Sequence, residues 1–154
     1  MGILRYSVWI DATPDAVWSA WTDIDLIPSW QTGHPRVASV TGDGGVGTSY
    51  SVHRGPSESR TTVVVADAPS HYVSTTQALL GLRFDLDAQL TPESGGTRLA
   101  LEARTAWPTG LGWLGRGVEA FVLSPHEAER ELANLKTIVE SGERTTFDPR
   151  QAMP

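Results

Sequence analysis

Two polar side chains that could do chemistry share one face of a predicted strand. The alternating pattern of Thr48–Arg54 places Tyr50 and Arg54 on one side of the strand and His53 on the other. A phenol beside a guanidinium could hold a carbonyl oxygen, polarise an enol or move a proton. A buried arginine needs a partner or a ligand anion, because an unpaired buried charge is very costly. We therefore take Tyr50 and Arg54 as the candidate catalytic pair.

Other polar residues are weaker candidates for the same chemistry. For each of them, as for Tyr50 and Arg54, a structural or surface role is the alternative interpretation. These residues are His34, His53, Glu58, Arg60, Tyr72 and Thr76.

The sequence lacks the motifs of metal, thiol and cofactor chemistry. The four histidines are not spaced as ligand pairs, cysteine is absent, and no Gly-x-Ser-x-Gly elbow occurs. The glycine-rich Gly42–Gly47 has neither the spacing nor the lysine of a phosphate-binding loop, so we interpret it as a turn. We expect no metal and no cofactor, so that any catalysis would be cofactor-free.

Composition narrows the class of partner. A chain of 154 residues fits one domain, and the net charge of −6 without a basic cluster argues against nucleic acid and anionic membranes. No apolar run reaches the roughly 18 residues of a spanning helix, and no signal sequence is visible, so we expect a cytoplasmic protein without membrane insertion. Six tryptophans predict a wide apolar interior. The protein could be a monomer or a homodimer.

The last of the elements that must position these residues is a predicted helix near the C-terminus, with a start signal and a stop signal in the sequence. Ser124 and Glu127 form a capping box, Pro125 stands at the first helical position, and Gly142 supplies the stop. One apolar stripe follows the helical period: Ala128, Leu132, Leu135 and Val139. The sequence leaves open whether this helix is kinked or split at Pro125. We predict one domain over residues 1–142 and a loosely held tail over 143–154.

Before this helix, the pattern is mostly that of strands. Residues 3–11 form a predicted strand, Thr13 and Pro14 begin a helix, and Asp23–Trp30 is a turn or a short second helix broken by Pro28. About six antiparallel strands follow, in the predicted segments Arg36–Thr41, Thr48–Arg54, Arg60–Asp67, Tyr72–Leu79, Leu82–Leu90 and Thr97–Trp107. The predicted class is α+β: a curved antiparallel sheet of about six or seven strands wrapped around a long C-terminal helix. Such a cup leaves a cavity suited to a small molecule.

This order of elements, with its particular residues, resembles the START-like (SRPBCC) helix-grip superfamily, in its polyketide cyclase/dehydrase and lipid-transport branch. The segments that carry the likeness are Ile10–Trp18, Trp21–Trp30, Gly45–Gly47, Val65–Pro69 and Glu131–Glu140. They are motifs of the scaffold, and a shared fold does not imply a shared reaction.

The resemblance implies which residues would surround a ligand. Trp30 and His34 would lie near the mouth, inward strand positions would form the walls, and the region from Trp107 to Phe121 would form a flap or rim. Trp113 could gate the cavity or pack the junction before the last helix. The predicted ligand-binding set is Trp30, His34, Thr76, Phe84, Leu86, Trp107, Trp113, Phe121, Leu132 and Leu135.

Three functions follow from the resemblance and the predicted cavity. The leading hypothesis is a protein that binds a hydrophobic small molecule and acts as a cofactor-free, polyketide cyclase/dehydrase-like enzyme. The first alternative is a non-catalytic carrier or sensor of a lipid, isoprenoid or aromatic metabolite. The second is a protein-interaction module. An enzyme predicts at least one ionisable group aimed into the cavity, with a pKa perturbed by burial. A carrier predicts a nearly dry apolar lining, and an interaction module predicts a filled core and an exposed apolar patch.

Overall fold

The computed structural model describes residues 2–78, 81–107 and 125–142 of the chain. Its elements, in chain order, are β1 (Gly2–Ile10), α1 (Pro14–Trp21), a 3-10 turn (Ile24–Leu26), α2 (Ile27–Trp30), β2 (Arg36–Thr41), β3 (Ser49–Arg54), β4 (Ser57–Asp67), β5 (His71–Gln77), β6 (Arg83–Glu93), β7 (Gly96–Ala106) and α3 (Pro125–Ser141). Within this part of the chain, no helix is long and apolar enough to cross a membrane.

The strands form one curved antiparallel sheet. Its seven strands follow the order β1-β7-β6-β5-β4-β3-β2, so the first strand of the chain pairs with the last. The predicted hairpin of β6 and β7 is confirmed: Phe84 pairs with Thr105, and Asp85 pairs with Arg104 on the opposite face. Opposite charges across that pair fit a face exposed to water. The α+β helix-grip architecture predicted from the sequence is thus confirmed.

Local signals set the helix that follows β1. The Thr13 hydroxyl accepts a hydrogen bond from the Ala16 N–H at 3.2 Å, and Pro14 stands in the first turn, as predicted. In Asp23–Trp30 the structure has a 3-10 turn followed directly by α2. Pro28 lies in the first turn of α2, where its missing N–H costs nothing, so the prediction that it breaks this segment is wrong.

Helix α3 packs against the sheet through part of the predicted stripe. Leu132 and Leu135 are fully buried, as predicted, and Ile138 is buried with them, whereas Ala128 and Val139 are only half-buried. The helix is followed by Gly142 at φ 70°, which confirms the predicted stop. Ser124, the junction before Pro125 and the predicted tail 143–154 lie outside the described residues.

A salt-bridged clamp fastens the end of α3 to the end of β1. The Lys136 ammonium donates to the Trp9 carbonyl at 2.8 Å and to Glu140 Oε1 at 2.6 Å. The same Glu140 oxygen accepts a hydrogen bond from the Asp11 N–H at 3.1 Å. This clamp fixes the helix across the sheet, so that one face of the sheet, which we call the inner face, packs against the helices.

The core is unevenly distributed over the inner face. Ile10, Val17 and Leu99 are 0% exposed and pack with α3. Further along the same face, Tyr6, Phe84 and Leu101 are only half-buried. Among the described residues, the inner face thus combines buried positions, such as Ala103 and Thr105, with a few half-buried apolar side chains.

Candidate functional site

A row of hydroxyl groups crosses the inner face from β3 to β5. Tyr50, Thr61 and Thr76 are direct partners in the register of these three strands. The Oγ1 atoms of Thr61 and Thr76 are 2.8 Å apart and share a hydrogen bond, and the Tyr50 hydroxyl lies close enough to Thr61 for that side chain to lower the pKa of Tyr50. The register of the sheet thus aligns three side chains into a continuous polar chain.

A second arm of this chain comes from β5 alone. Tyr72 lies two residues before Ser74, on the same side of the strand, and its hydroxyl lies close enough to Tyr50 and Ser74 for both side chains to affect the pKa of Tyr72. We call the group Tyr50, Thr61, Tyr72, Ser74 and Thr76 the hydroxyl network. Thr76 is half-buried and the other four are buried, so a ligand on the inner face would meet the network at Thr76.

Tryptophan rings hold Tyr72 in place. The Trp18 and Trp21 rings meet the Tyr72 ring edge-on at centroid distances of 6.2 and 6.0 Å. Trp30 stacks on Trp21 at 5.4 Å. Such contacts are worth about 0.5–1.5 kcal/mol each beyond the area they bury. Within the described part of the chain, the buried indole N–H groups of Trp21, Trp30 and Trp107 have no hydrogen-bond partner.

Burial keeps both phenols of the network neutral. Desolvation raises the pKa of Tyr50, and two hydrogen bonds to its hydroxyl oppose the effect only in part. Desolvation also raises the pKa of Tyr72, and the neighbouring Tyr50 hydroxyl raises it further. At neutral pH these groups can donate or accept hydrogen bonds, but they are not phenolate bases. The network can therefore polarise an oxygen atom.

An apolar wall borders the network on its β6 side. Phe84 lies between Thr76 and Thr105 in the register of the sheet, and Leu86 lies beside Ser74. Both apolar side chains are half-buried. A molecule resting on this wall would have its apolar part on Phe84 and Leu86 and could place an oxygen atom on Thr76.

Arg54 is directed to another part of the structure. Its Nη1 donates to the Thr32 carbonyl at 2.8 Å, and its Nη2 donates to Gln31 Oε1. From α3, Glu131 Oε1 accepts hydrogen bonds from the Thr32 N–H at 3.2 Å and the Thr32 hydroxyl at 3.1 Å. Arg54 and Glu131 thus hold the loop after α2, and the structure does not bring the Arg54 guanidinium to the Tyr50 hydroxyl.

The other predicted ligand-binding residues are distributed between core and surface. Trp30, Leu132 and Leu135 are buried in the core. His34 is exposed, with its Nδ1 hydrogen-bonded to the Pro28 carbonyl at 2.9 Å, and Trp107 is half-buried. Trp113 and Phe121 lie outside the described residues.

Three polar candidates belong to the opposite face of the sheet. His53 Nε2 lies 3.9 Å from Glu58 Oε1, and Arg60 donates to the Ser51 and Ser49 hydroxyls at 3.1 and 2.7 Å. Over residues 2–78, 81–107 and 125–142, no three histidine or acidic side chains are grouped as metal ligands.

Sequence reasoning missed Thr61, Ser74 and Glu131. Ser74 could have been found, because it alternates with Tyr72 and Thr76 on the same face of one predicted strand. Thr61 faces Tyr50 only in the observed register, which strand patterns alone do not give. Glu131 could not be singled out, because the sequence pattern shows it only as one of several polar residues of an amphipathic helix.

The fold of this chain is shared by solved structures of other proteins. The chain is similar to a solved protein of Rhodobacter sphaeroides (20% identity, TM-score 0.70, 90% of this chain and 92% of that one). It is also similar to the Aha1 dimer of Colwellia psychrerythraea (17% identity, TM-score 0.62, 93% and 99%) and to DynU16, a putative protein in the dynemicin biosynthetic locus (22% identity, TM-score 0.62, 91% and 48%). At these identities the likeness shows the fold alone. No curated protein matches the chain.

A family model gives a more specific result. The model described as polyketide cyclase / dehydrase and lipid transport matches residues 1–140, which contain every strand described above and all of the helices except the last residue of α3. The chain therefore belongs to the polyketide cyclase/dehydrase and lipid transport family.

Proposed function

We propose that the protein binds a hydrophobic small molecule on the inner face of its sheet and acts on it as a cofactor-independent cyclase or dehydratase. The observation that carries this proposal is the hydroxyl network beside a half-buried apolar wall. Four of its hydroxyl groups are buried behind Thr76, and together with Thr76 they make a pre-organised polar surface.

The chemistry assigned to this surface is polarisation of a ligand oxygen. Thr76 donates a hydrogen bond to a carbonyl on the wall, and Thr61 and Tyr50 stand behind it as the next members of the chain. When an enol carbon of the same ligand adds to that carbonyl, a C–C bond forms, the C=O π bond is broken, and the enol proton passes to the new alkoxide oxygen. Negative charge grows on that oxygen during the addition, so the donor is worth more than in the ground state. Loss of one such donor costs about 100-fold in rate. Of the predicted pair, Tyr50 is proposed to position this donor from behind Thr61, and Arg54 positions the loop after α2.

A carrier or sensor is the second candidate function, and one observation favours it. Both phenols of the network stay neutral, and the described residues of the inner face offer no ionised base to take a proton. Binding would be the same in both cases, and only turnover separates them.

Tryptophan fluorescence tests binding. Trp18 and Trp21 contact Tyr72 of the network, so a ligand near it should change the emission. Titration with a panel of aromatic polyketides and fatty acids is expected to give saturable changes at micromolar concentration. A panel that leaves the emission unchanged would contradict the binding proposal.

One pair of variants locates the site. Thr76→Val should weaken binding about five- to tenfold, because it removes one hydrogen bond without changing the shape of the side chain. Thr75→Val is the matched control, since Thr75 is the adjacent residue of β5, on the opposite face, where its hydroxyl bonds to Asp85.

For a substrate identified in this way, product analysis decides between enzyme and carrier. Turnover that survives Tyr50→Phe would exclude a role for Tyr50 in catalysis, and Arg54→Ala should act only through the loop after α2.

A further inference from the structure

We infer that the ligand presents a neutral oxygen, as in a phenol, an alcohol or a ketone, and not a carboxylate of the fatty-acid kind. This inference rests on the proposed function, because it concerns the same surface beside Thr76. It follows from how charge is divided between the two faces of the sheet.

The described inner face of strands β1, β5, β6 and β7 is uncharged. The side chains that alternation and register place on it are hydrocarbon, apart from the hydroxyl groups of Tyr6, Tyr72, Ser74, Thr76, Thr97 and Thr105. The charged residues of these strands fall on the outer face, where Glu102 pairs with Arg5 and Arg104 and where Asp85 pairs with Arg83. A ligand beside Thr76 therefore meets hydroxyl groups and hydrocarbon.

The basic side chains at the margins of the inner face are already engaged. Arg54 donates to Thr32 and Gln31, and the charge of Glu131 lies close enough to interact with it. Lys136 is bound by the Trp9 carbonyl and the Glu140 carboxylate. Among the described residues, a ligand carboxylate at Thr76 would thus have no counter-charge of its own.

The energetics of burial then separate the two ligand classes. A carboxylate that leaves water for an apolar surface needs a cation or several donors, and an unpaired buried ion is strongly disfavoured. Thr76 offers a single hydroxyl at the half-buried end of the network. That is sufficient for a neutral oxygen, which needs one or two hydrogen bonds, and a hydroxyl can donate to a ketone or accept from a phenol.

Matched pairs of probes test this inference by isothermal titration calorimetry at neutral pH. The pairs are 2-naphthol with 2-naphthoate and 1-decanol with decanoate, so that ring or chain is kept while the charge changes. In each pair that binds, the dissociation constant of the neutral member should be at least about tenfold lower than that of the carboxylate. This is the difference expected when a hydrogen bond is made without burying an ion. Thr76→Val should weaken 2-naphthol about five- to tenfold and leave naphthalene unchanged, whereas Thr75→Val should change neither.

The outcomes separate this inference from the proposed function. If the carboxylate binds as tightly as its neutral partner, or more tightly, the inference is overturned while the binding site stands. If Thr76→Val leaves the preference for 2-naphthol over naphthalene intact, the oxygen does not lie on the hydroxyl network and the inference also fails. If none of the probes, including naphthalene, binds, the apolar site itself is refuted and the proposed function falls with it.

Discussion

Glu131 of α3 holds Thr32 of the loop after α2 through two hydrogen bonds to one carboxylate oxygen, at 3.2 and 3.1 Å. Arg54 of β3 binds the carbonyl of the same threonine at 2.8 Å, and Asn134 of α3 donates to the carbonyl of Trp30 at 3.2 Å. The loop is therefore fixed between the last helix and the sheet, directly beside the stacked tryptophans that hold Tyr72. The stability of this loop affects the candidate site because Trp30, which stacks on Trp21, directly precedes the loop.

The first prediction concerns the charge of Glu131. Burial raises the pKa of this carboxyl, and the hydrogen bonds from Thr32 and the charge of Arg54 oppose the effect only in part. The folded state therefore binds the proton more tightly than the unfolded state, and stability falls as the pH rises from the ordinary glutamate range through the raised pKa. Glu131→Gln keeps an acceptor for Thr32 without the charge. As the pH rises through this window, the free energy of unfolding of Glu131→Gln, measured by urea denaturation, should increase relative to that of the wild type.

Glu140→Gln is the matched control, because the pKa of Glu140 is shifted in the opposite direction. Hydrogen bonds from Lys136 and from the Asp11 N–H lower its pKa. The contribution of the Glu140 carboxylate to the free energy of unfolding is complete above the ordinary glutamate pKa and is lost as the pH falls through the lowered pKa. Glu140→Gln should therefore lose stability relative to the wild type at neutral pH, by about 1 kcal/mol or less. Parallel pH profiles for the two variants would contradict the burial of Glu131.

The second prediction concerns the two hydrogen bonds of Arg54. Its planar guanidinium reaches the Thr32 carbonyl and the Gln31 side chain at once, which an ammonium group cannot do with the same geometry. Arg54→Lys should cost about 0.5–1.5 kcal/mol in the free energy of unfolding, although the charge is kept. The exposed Arg36 of the neighbouring strand β2 gives the control Arg36→Lys, which should change stability by less than about 0.5 kcal/mol. Equal effects of the two substitutions would show that the loop does not depend on this contact.

The fold could be predicted from the sequence because its signals are local. The Thr13–Pro14 helix start, the alternation in β6 and β7 and the stop at Gly142 each act within a few residues. The hydroxyl network was only partly predictable, since Tyr50 and Thr61 meet across a register that depends on the whole sheet.

The position of Arg54 shows a second limit of sequence patterns. Alternation places it on the same side of β3 as Tyr50, but the length of its side chain and its place at the end of the strand let it reach Thr32. A strand pattern predicts on which face of the sheet a long side chain lies. The position of its charged group depends on the hydrogen-bond partners within reach.

The third prediction concerns the close approach of β1 to the start of β7. A Cβ atom on Gly96 would meet the Ile10 carbonyl oxygen and would lie 2.7 Å from Cζ2 of Trp9. Since the first of these is backbone, Gly96→Ala should destabilise the fold by about 1–3 kcal/mol or more. Gly45→Ala, where the nearest atom is a side-chain oxygen of Asp43 at 3.2 Å, should cost less than about 1 kcal/mol. Urea unfolding compares the two, and similar midpoints would contradict the observed packing.

The fourth prediction concerns the neutral phenols of the hydroxyl network. Burial raises the pKa of Tyr50 and Tyr72, so their contribution to stability is complete below the ordinary tyrosine pKa and is lost as the pH rises above it. In the native protein, the ultraviolet absorbance of tyrosinate should therefore titrate identically for the wild type and for the double variant Tyr50→Phe/Tyr72→Phe until alkaline unfolding begins. The double variant should also lose less stability over that alkaline range, although at neutral pH it should be less stable by about 1–3 kcal/mol because Thr61 and Ser74 lose partners. A smaller tyrosinate signal from the variant while it is still folded would show that a network phenol ionises, and that result would favour a phenolate base over the positioning role proposed for Tyr50.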